Sequence, residues 1–368
     1  MVYDEVKLSE LASYISRGIT PSYTELDGVC VINQKCIRNG TLSLAEARMH
    51  NESKKKISND KMVQLMDILV NSTGTGTLGR VAQVTSKIRA TVDSHVTIVR
   101  PSKEVNPLFL GYAVKWRKPY IEALAEGSTG QTELSRFRLG DEITIPLPSL
   151  AVQKGIAETL YAIDCKIETN NKINDNLQQQ TQAIYVSKFI DNADPEWEQG
   201  HLSDLITVKY GKDHKKLADG SYPVYGSGGV MRYVERPLYD KESVLIPRKG
   251  TLNNVMYVNQ PFWSVDTMFY TEMRLPNVAK FVYHFVKAKD LASMNAGSAV
   301  PSMTTDILNA MEVAIPSASA LEEFEALASP MYKAMQENDN QSETLAKLRD
   351  ALLPKLMSGE IDVSDIQL

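Results

Sequence analysis

The sequence predicts an α+β protein with two similar globular domains, each of mixed β structure with short helices, and two long helices that pair as an intramolecular antiparallel coiled coil. Three observations support this fold class. Two long stretches carry a coiled-coil seam, short motifs recur about 170 residues apart, and β-branched runs broken by turn residues fill the rest. We divide the 368 residues into 1–148, 149–190, 191–316, 317–358 and 359–368, which are domain, helix, domain, helix and tail.

The first long helix is predicted at residues 150–190, which hold no proline and one glycine, Gly155. Its seam alternates steps of three and four residues, as in a coiled coil. The seam residues are Leu160, Ile163, Ile167, Asn170, Asn174, Leu177, Thr181, Ile184 and Lys188. Because helices are stabilised mainly by packing, a lone helix of this length with a half-polar seam requires a partner.

The partner helix lies 168 residues later in the same chain. Its seam residues are Ala328, Met331, Met335, Asn338, Ser342, Leu345, Arg349, Leu352 and Leu356. The polar residues Asn170 and Asn174 recur there as Asn338 and Ser342, and polar layers at both midpoints favour an antiparallel pair. Pro330 removes a backbone hydrogen bond, so we expect this helix to break or bend near Ser329.

Short motifs recur in order in the two domains, with spacings that fall from 194 to 168 residues. The matched segments are 8–11 with 202–205, 67–70 with 243–246, 76–78 with 250–252, 92–94 with 265–267, 127–128 with 297–298, and 142–146 with 312–316. Such a long period indicates a duplicated domain rather than a solenoid. Each domain also has one predicted helix, at Pro107–Trp116 and Ala279–Lys289.

Composition excludes several classes of protein. No apolar run approaches the length of a membrane helix, so we expect a cytoplasmic chain with no membrane partner. Three cysteines without a Cys-x-x-Cys spacing argue against a disulfide framework. The formal net charge is −5, but residues 1–148 hold 19 basic and 16 acidic side chains, a net charge of +3. What matters for a nucleic-acid partner is how these groups cluster.

Motifs of known enzymes are absent or incomplete. Residues 74–79 spell G-x-G-x-x-G, but the β-branched alternation that follows them predicts a hairpin or loop instead of the helix that a dinucleotide site requires. Asn106-Pro107-Leu108-Phe109 lacks the second proline of an amino-methyltransferase motif and is better explained as a helix start. The five histidines stand singly. We therefore expect no catalytic residue, no metal site and no cofactor.

Two segments resemble the specificity (S) subunits of type I restriction–modification systems. Residues 145–153, which lead into the first long helix, are similar to the central region of that family. Residues 344–361, TLAKLRDALLPKLMSGEI, are similar to its C-terminal region, and smaller matches lie at 17–21, 72–80 and 297–305. Two departures are the slightly short chain and residues 320–324, where Gln153 has no clear counterpart.

The resemblance implies two target recognition domains, each reading one half of a split double-stranded DNA sequence, with the paired helices setting the unread spacer. It also implies partners: two methyltransferase (M) subunits bound to the helices, and restriction/translocase (R) subunits. Adenine methylation and ATP-dependent cleavage then belong to those partners, and this chain is not an enzyme.

Candidate DNA-contacting residues are loop residues that carry cations or hydrogen-bonding groups, because phosphates bind Lys and Arg and base edges need donors and acceptors. In the first domain they are Arg17, Lys35, Ser72, Thr73, Thr75, Thr77 and Arg80. In the second they are Lys212, Lys215, Lys216, Arg248, Lys249, Thr251 and Asn253.

Three other functions are compatible with parts of the sequence. A self-contained methyltransferase would need a cofactor pocket, and a coiled-coil scaffold without a DNA role would leave the duplicated domains unexplained. The specificity component of a related multi-subunit system cannot be distinguished from a type I subunit by sequence, because the difference lies in the partners.

Overall fold

The computed structural model of the chain describes residues 3–127, 132–294 and 302–363. The chain forms two compact units. The N-terminal unit comprises Met1–Thr169 and Gln341–Leu368, and the C-terminal unit comprises Asn170–Asn340. Each unit therefore combines one globular domain with about half of each long helix.

Short strands and helices build both domains. The strands are β1 (Asp4–Lys7), β2 (Ala12–Arg17), β3 (Tyr23–Thr24), β4 (Val29–Ile32), β5 (Ile37–Arg38), β6 (Thr41–Leu42), β7 (Arg48–His50), β8 (Ile68–Asn71), β9 (Val81–Gln83), β10 (Ala90–Val92), β11 (Val96–Pro101), β12 (Thr144–Leu147), β13 (Glu198–His201), β14 (Ile206–Tyr210), β15 (Asp219–Gly226), β16 (Gly229–Val234), β17 (Ser243–Pro247), β18 (Met256–Val258), β19 (Trp263–Ser264), β20 (Met268–Met273) and β21 (Glu312–Ile315). The helices are α1 (Leu8–Leu11), α2 (Pro107–Trp116), α3 (Lys118–Ala123), α4 (Arg136–Glu142), α5 (Leu150–Val186), α6 (Leu202–Leu205), α7 (Ala279–Lys287), α8 (Thr305–Asn309) and α9 (Ala318–Met357).

The two domains share one topology, which confirms the predicted duplication. An antiparallel sheet in the order β2-β11-β8-β9 has its counterpart in β14-β20-β17-β18. A second sheet contains one parallel pair in each domain, β4 with β10 and β15 with β19. A short antiparallel pair closes each domain, β1 with β12 and β13 with β21.

Strand registers correct part of the sequence alignment between the domains. Lys7 lies opposite Thr144, and His201 lies opposite Glu312, so Thr144 rather than Glu142 corresponds to Glu312. The match of residues 142–146 with 312–316 is therefore shifted by two residues, because similar letters recur within a short strand while hydrogen bonds fix the pairing. The match of 127–128 with 297–298 involves residues outside the described ranges.

The long helices α5 and α9 pack antiparallel in both units, as predicted. All predicted seam residues of both helices are buried or partly buried. In the N-terminal unit Arg349 Nη1 donates to Asp164 Oδ1 at 2.7 Å. In the C-terminal unit Asn338 Nδ2 donates to Asn174 Oδ1 at 2.8 Å, and Asn170 Nδ2 donates to the Asn338 carbonyl at 3.3 Å. These amides form the expected polar layer, which fixes the register of the pair.

The helix ends differ from the prediction in three places. The α-helix of α5 ends at Val186, and a π-helical turn at Ser187–Asp191 extends it. The predicted break near Ser329 is wrong, since α9 continues through Pro330. Pro330 lies on the exposed face, and the buried neighbours Ala328 and Tyr332 anchor the helix on both sides of it.

The start of the predicted tail folds back onto α5. Gly359 has a φ of +73°, which reverses the chain, and Val363 is buried at 4% exposure. A Cβ atom at Gly155 would lie 3.2 Å from Val363 Cγ2. The one glycine of α5 therefore leaves room for this segment to pack. Residues 364–368 lie outside the described ranges.

Each domain joins its core to the helices through one domain helix. In the N-terminal unit Phe109 and Leu110 of α2 share a core with Ile156 and Leu160 of α5 and Leu356 of α9. Asn106 caps α2, and its backbone N–H donates to Gln153 Oε1 of α5 at 2.9 Å.

The C-terminal unit uses an aromatic core at the equivalent place. The ring of Phe189, just beyond α5, contacts Phe281 of α7 and Phe324 of α9 at centroid distances of 4.8 and 5.2 Å. Leu321, which is 168 residues after Gln153, is buried in this core. The missing glutamine thus reflects a change from a polar contact to an apolar one.

A buried lysine distinguishes the second unit from the first. Lys280 of α7 is 1% exposed, and its Nζ pairs with Glu325 at 2.7 Å and Glu242 at 3.1 Å. Counting from the helix N-caps and along the long helices, Lys280 corresponds to Leu108 and Glu325 to Ala157. An apolar contact in one unit is therefore an ion pair in the other.

We predict that Lys280→Leu destabilises the C-terminal unit by roughly 3 kcal/mol, because it leaves two carboxylates without their buried cation. The double variant with Glu325→Ala restores the side chains of the first unit and should recover most of this loss. Urea unfolding followed by Trp197 and Trp263 fluorescence, in a Trp116→Phe background, measures both. Equal loss in the single and double variants would show that the ion pair is not the cause.

His284 of α7 connects α5 with α9 in the C-terminal unit. It is fully buried, its Nδ1 donates to Gln182 Oε1 at 2.8 Å, and its Nε2 accepts from the Tyr332 hydroxyl at 3.0 Å. Burial, and to a smaller extent the charge of Lys287, lowers the pKa of His284 to about 4. The folded chain therefore holds this imidazole neutral at pH values where the unfolded chain protonates it.

This shift predicts a pH-dependent stability. Above pH 6.5 both states are neutral at His284, whereas between 6.5 and about 4 only the unfolded state binds the proton, so stability falls as the pH falls. The loss amounts to roughly 3 kcal/mol at pH 4. His284→Gln should lower the slope of unfolding free energy against pH across this window, measured by urea titrations. Identical slopes in the variant and the natural chain would contradict the assignment.

Candidate nucleic-acid interface

The glycine-rich segment after β8 is a hairpin loop, as predicted. Antiparallel β9 follows it directly, so no helix stands where a dinucleotide site needs one. Thr77 Oγ1 donates to the Thr73 carbonyl at 3.1 Å, and Thr73 Oγ1 lies 2.7 Å from His95 Nδ1. Thr75, at the loop tip, is exposed.

Several candidate residues of the first domain are engaged within the protein. Ser72 is fully buried and hydrogen-bonds Thr97 Oγ1, so its side chain does not belong to an interface in this conformation. Arg17 forms an ion pair with Glu133 and donates to the Leu134 carbonyl at 2.6 Å. Arg80 is partly buried and lines a different part of the unit, described below.

Lys35 is exposed and lines a concavity of about 390 Å³ at the end of β4. The lining residues are Tyr23, Asn33, Gln34, Lys35, Ala45, Glu46, Ala47, Arg48 and Asp93. The Arg48 guanidinium carbon lies 3.5 Å from the centroid of the Tyr23 ring. Burial raises the pKa of Asp93. The concavity thus combines a stacked cation, an amide and carboxylates.

In the second domain Arg248 follows β17 and occupies the corner of the sheet. Its guanidinium lies 5.3 Å from the Tyr210 ring centroid, and Nη1 donates to the Asp266 carbonyl at 3.3 Å. Asn253 holds its own loop, since its Nδ2 donates to Asp290 Oδ1 at 3.0 Å. The other candidates there have exposed side chains: Lys212, Lys215, Lys216, Lys249 and Thr251.

A second concavity, of about 440 Å³, adjoins Arg248. The lining residues are His214, Gly226, Ser227, Gly228, Met231, Val265, Asp266 and Thr267. This unit therefore has a concavity beside a cationic corner, built from the end of β15, from β16 and from the turn after β19.

The two concavities occupy the same place in the duplicated topology. Ile32 pairs with Val92, and Tyr225 pairs with Ser264, so residues 33–35 correspond to 226–228. The same registers equate Ala47 with Met231, because their successors pair with equivalent positions of β4 and β15. Duplication has thus given each domain one concavity at the same strand ends.

Sequence reasoning included Lys35 but not the rest of either lining. A usable signal was present, since the matched segments 92–94 and 265–267 contain Asp93 and Asp266, which line the two concavities. The remaining lining residues differ between the domains, so no repeated pattern marked them.

Within the described ranges, no three His, Cys, Asp or Glu side chains are grouped as a metal site. Cys30, Cys36 and Cys165 are free thiols. No helix among the described residues is long and apolar enough to cross a membrane.

Comparison with known proteins places this duplicated architecture. A sequence model of the type I restriction modification DNA specificity domain matches residues 3–179 and 195–348. The chain belongs to this family. The two matches cover the two halves of the duplication separately, and DNA sequence recognition within a type I restriction–modification complex is the function that the family carries.

Individual relatives are distant but extensive in coverage. The chain is 24% identical over 302 residues to the type I restriction enzyme MjaIX specificity subunit of Methanocaldococcus jannaschii, covering 70% of this chain and 69% of the relative. It is 22% identical over 251 residues to the EcoprrI specificity subunit of Escherichia coli, covering 59% and 62%.

The fold is shared with a crystal structure of a type I restriction–modification S subunit from M. genitalium. The TM-score is 0.61 at 19% identity, and the match covers 96% of both chains. This similarity confirms the fold class.

Proposed function

We propose that each domain of this specificity subunit reads one half of a bipartite double-stranded DNA target at its concavity. The observation that carries the proposal is the pair of concavities at equivalent strand ends, each beside exposed cations. A split target requires two readers built on one scaffold, and a duplicated chain supplies them.

The side chains at these places suit both parts of DNA recognition. Lys35 in one domain and Lys212, Lys215 and Lys216 in the other are exposed cations that suit phosphate contacts. Arg48, Asn33 and His214 carry the donors and acceptors that base edges require. Thr73, Thr75, Thr77, Lys249 and Thr251 extend these surfaces along the hairpin loops.

We further propose that α5 and α9 set the spacer and bind two methyltransferase (M) subunits, with restriction/translocase (R) subunits joining the complex in the cytoplasm. Specificity subunits are the non-catalytic members of such systems. Methylation and ATP-dependent cleavage would then belong to the partners. The amide layer at Asn170, Asn174 and Asn338 supports a spacer role, because it fixes the register of the two helices.

Arg248→Gln is expected to weaken DNA binding and to reduce the slope of log affinity against log salt by about one, because one phosphate contact is lost. Fluorescence anisotropy with duplex DNA at several salt concentrations measures both. Arg274→Gln is the matched control, since Arg274 is exposed at the opposite end of the same sheet. A control variant that loses as much slope as Arg248→Gln would remove Arg248 from the interface.

Insertion of one helical turn, four residues, into both helices tests the spacer. The insertions belong between Thr169 and Asn170 and between Asn340 and Gln341. The added rise of about 6 Å and rotation of about 40° should lengthen the spacer by about one or two base pairs. Methylation mapping in cells that carry the M subunit reports the target. Altered half-sites would count against the proposal, and insertion into one helix alone should disrupt the seam.

A further inference from the structure

A second kind of cavity lies within the N-terminal unit, at the junction between the first domain and the helices. Its volume is about 780 Å³. The β5–β6 turn, the loop before β9, helix α2 with the residue after α3 begins, and both long helices line it. The lining residues are Arg38, Asn39, Gly40, Gly76, Arg80, Val81, Tyr112, Lys115, Lys118, Asp164, Arg349, Asp350 and Leu353.

The charge of this lining is strongly positive. Five cations, Arg38, Arg80, Lys115, Lys118 and Arg349, face two carboxylates, Asp164 and Asp350, which leaves a net charge of +3. Both carboxylates are already occupied. Asp164 accepts hydrogen bonds from Tyr112 at 2.6 Å and Arg349 at 2.7 Å, and Asp350 accepts from Arg349 at 2.8 and 2.9 Å.

Three of the cations keep donors for a ligand. Lys115 and Arg38 make no side-chain hydrogen bond or ion pair with any residue in the described part of the chain, apart from a contact of Lys115 Nζ with the Tyr112 ring at 5.1 Å. Arg80 uses only Nη2, which donates to the Gly76 carbonyl at 2.8 Å. Burial lowers the pKa of Lys115, and nearby Asp164 opposes that effect.

An ammonium that is partly desolvated without a partner is costly, and an anion in the cavity would remove that cost. We propose that this junction cavity binds a phosphate group through Lys115, Arg80 and Arg38. Three separate cations suit the several oxygens of a phosphate better than the two oxygens of one carboxylate. The phosphate may be carried by a free molecule or by a DNA backbone, and the geometry suits both sources.

The C-terminal unit supplies a matched control. Counting from the helix N-caps, Lys287 of α7 corresponds to Lys115 of α2. Its Nζ donates to the Val255 carbonyl at 3.3 Å, so this lysine already has a partner. A substitution at Lys287 therefore removes the same charge from the equivalent helix without removing an anion site.

The experiment compares Lys115→Met with Lys287→Met in the full chain. Pyrophosphate binding is measured by isothermal titration calorimetry, with acetate as the carboxylate probe. Duplex DNA binding is measured by fluorescence anisotropy against salt. We expect pyrophosphate to bind the natural chain and Lys287→Met equally, and Lys115→Met at least tenfold more weakly. Near-ultraviolet circular dichroism verifies that both variants are folded.

The DNA measurement separates the two sources. A salt slope lower by about one in Lys115→Met alone would assign the cavity to a backbone phosphate, and an unchanged slope with lost pyrophosphate binding would assign it to a free phosphate compound. Equal binding of acetate and pyrophosphate would overturn the proposal. So would a Lys115→Met variant that is unchanged in both assays. Neither result depends on which half-site each domain reads.

Discussion

The antiparallel packing of α5 against α9 is the constraint on which both units depend. Neither helix buries enough apolar surface alone, because the middle of each seam is polar. The amides of Asn170, Asn174 and Asn338 satisfy one another only in one register, and a shift by a turn would leave them buried without these partners. Each domain core then includes side chains from both helices, so an error in register would disrupt the domains as well.

The duplicated halves keep one backbone plan while their buried contacts differ. At the helix junction the first unit links Tyr112, Asp164 and Arg349, whereas the second links Gln182, His284 and Tyr332. Because Lys280 would face apolar Ala157 instead of Glu325 in an exchanged pairing, exchange of the halves would bury an unpaired charge. The divergence therefore favours the pairing of each domain with its own helix segments.

Sequence reasoning predicted those features that depend on periodicity and repetition. The bounds of α2 were correct at Pro107–Trp116, and the seam residues are all at least partly buried, because a heptad pattern and a helix cap are local signals. The unbroken helix at Pro330 and the returning segment at Val363 depend on packing partners far along the chain. Local propensity does not contain that information.

The candidate site was less predictable for a related physical reason. Backbone hydrogen bonds place residues 33–35 and 226–228 at the same strand end, yet the first segment is Asn-Gln-Lys and the second Gly-Ser-Gly. Arg48 stacks on Tyr23, while its register equivalent Arg232 pairs with Asp219 at 2.6 Å.

A scaffold whose strand registers are fixed and whose lining side chains vary can present different donors and acceptors at one geometry. On the proposed function, this arrangement lets each domain read a different half-site while the shared strands keep both concavities in the same local frame. The side chains that set specificity then contribute little to the core, which is why periodicity marks the scaffold and leaves the reading residues unmarked.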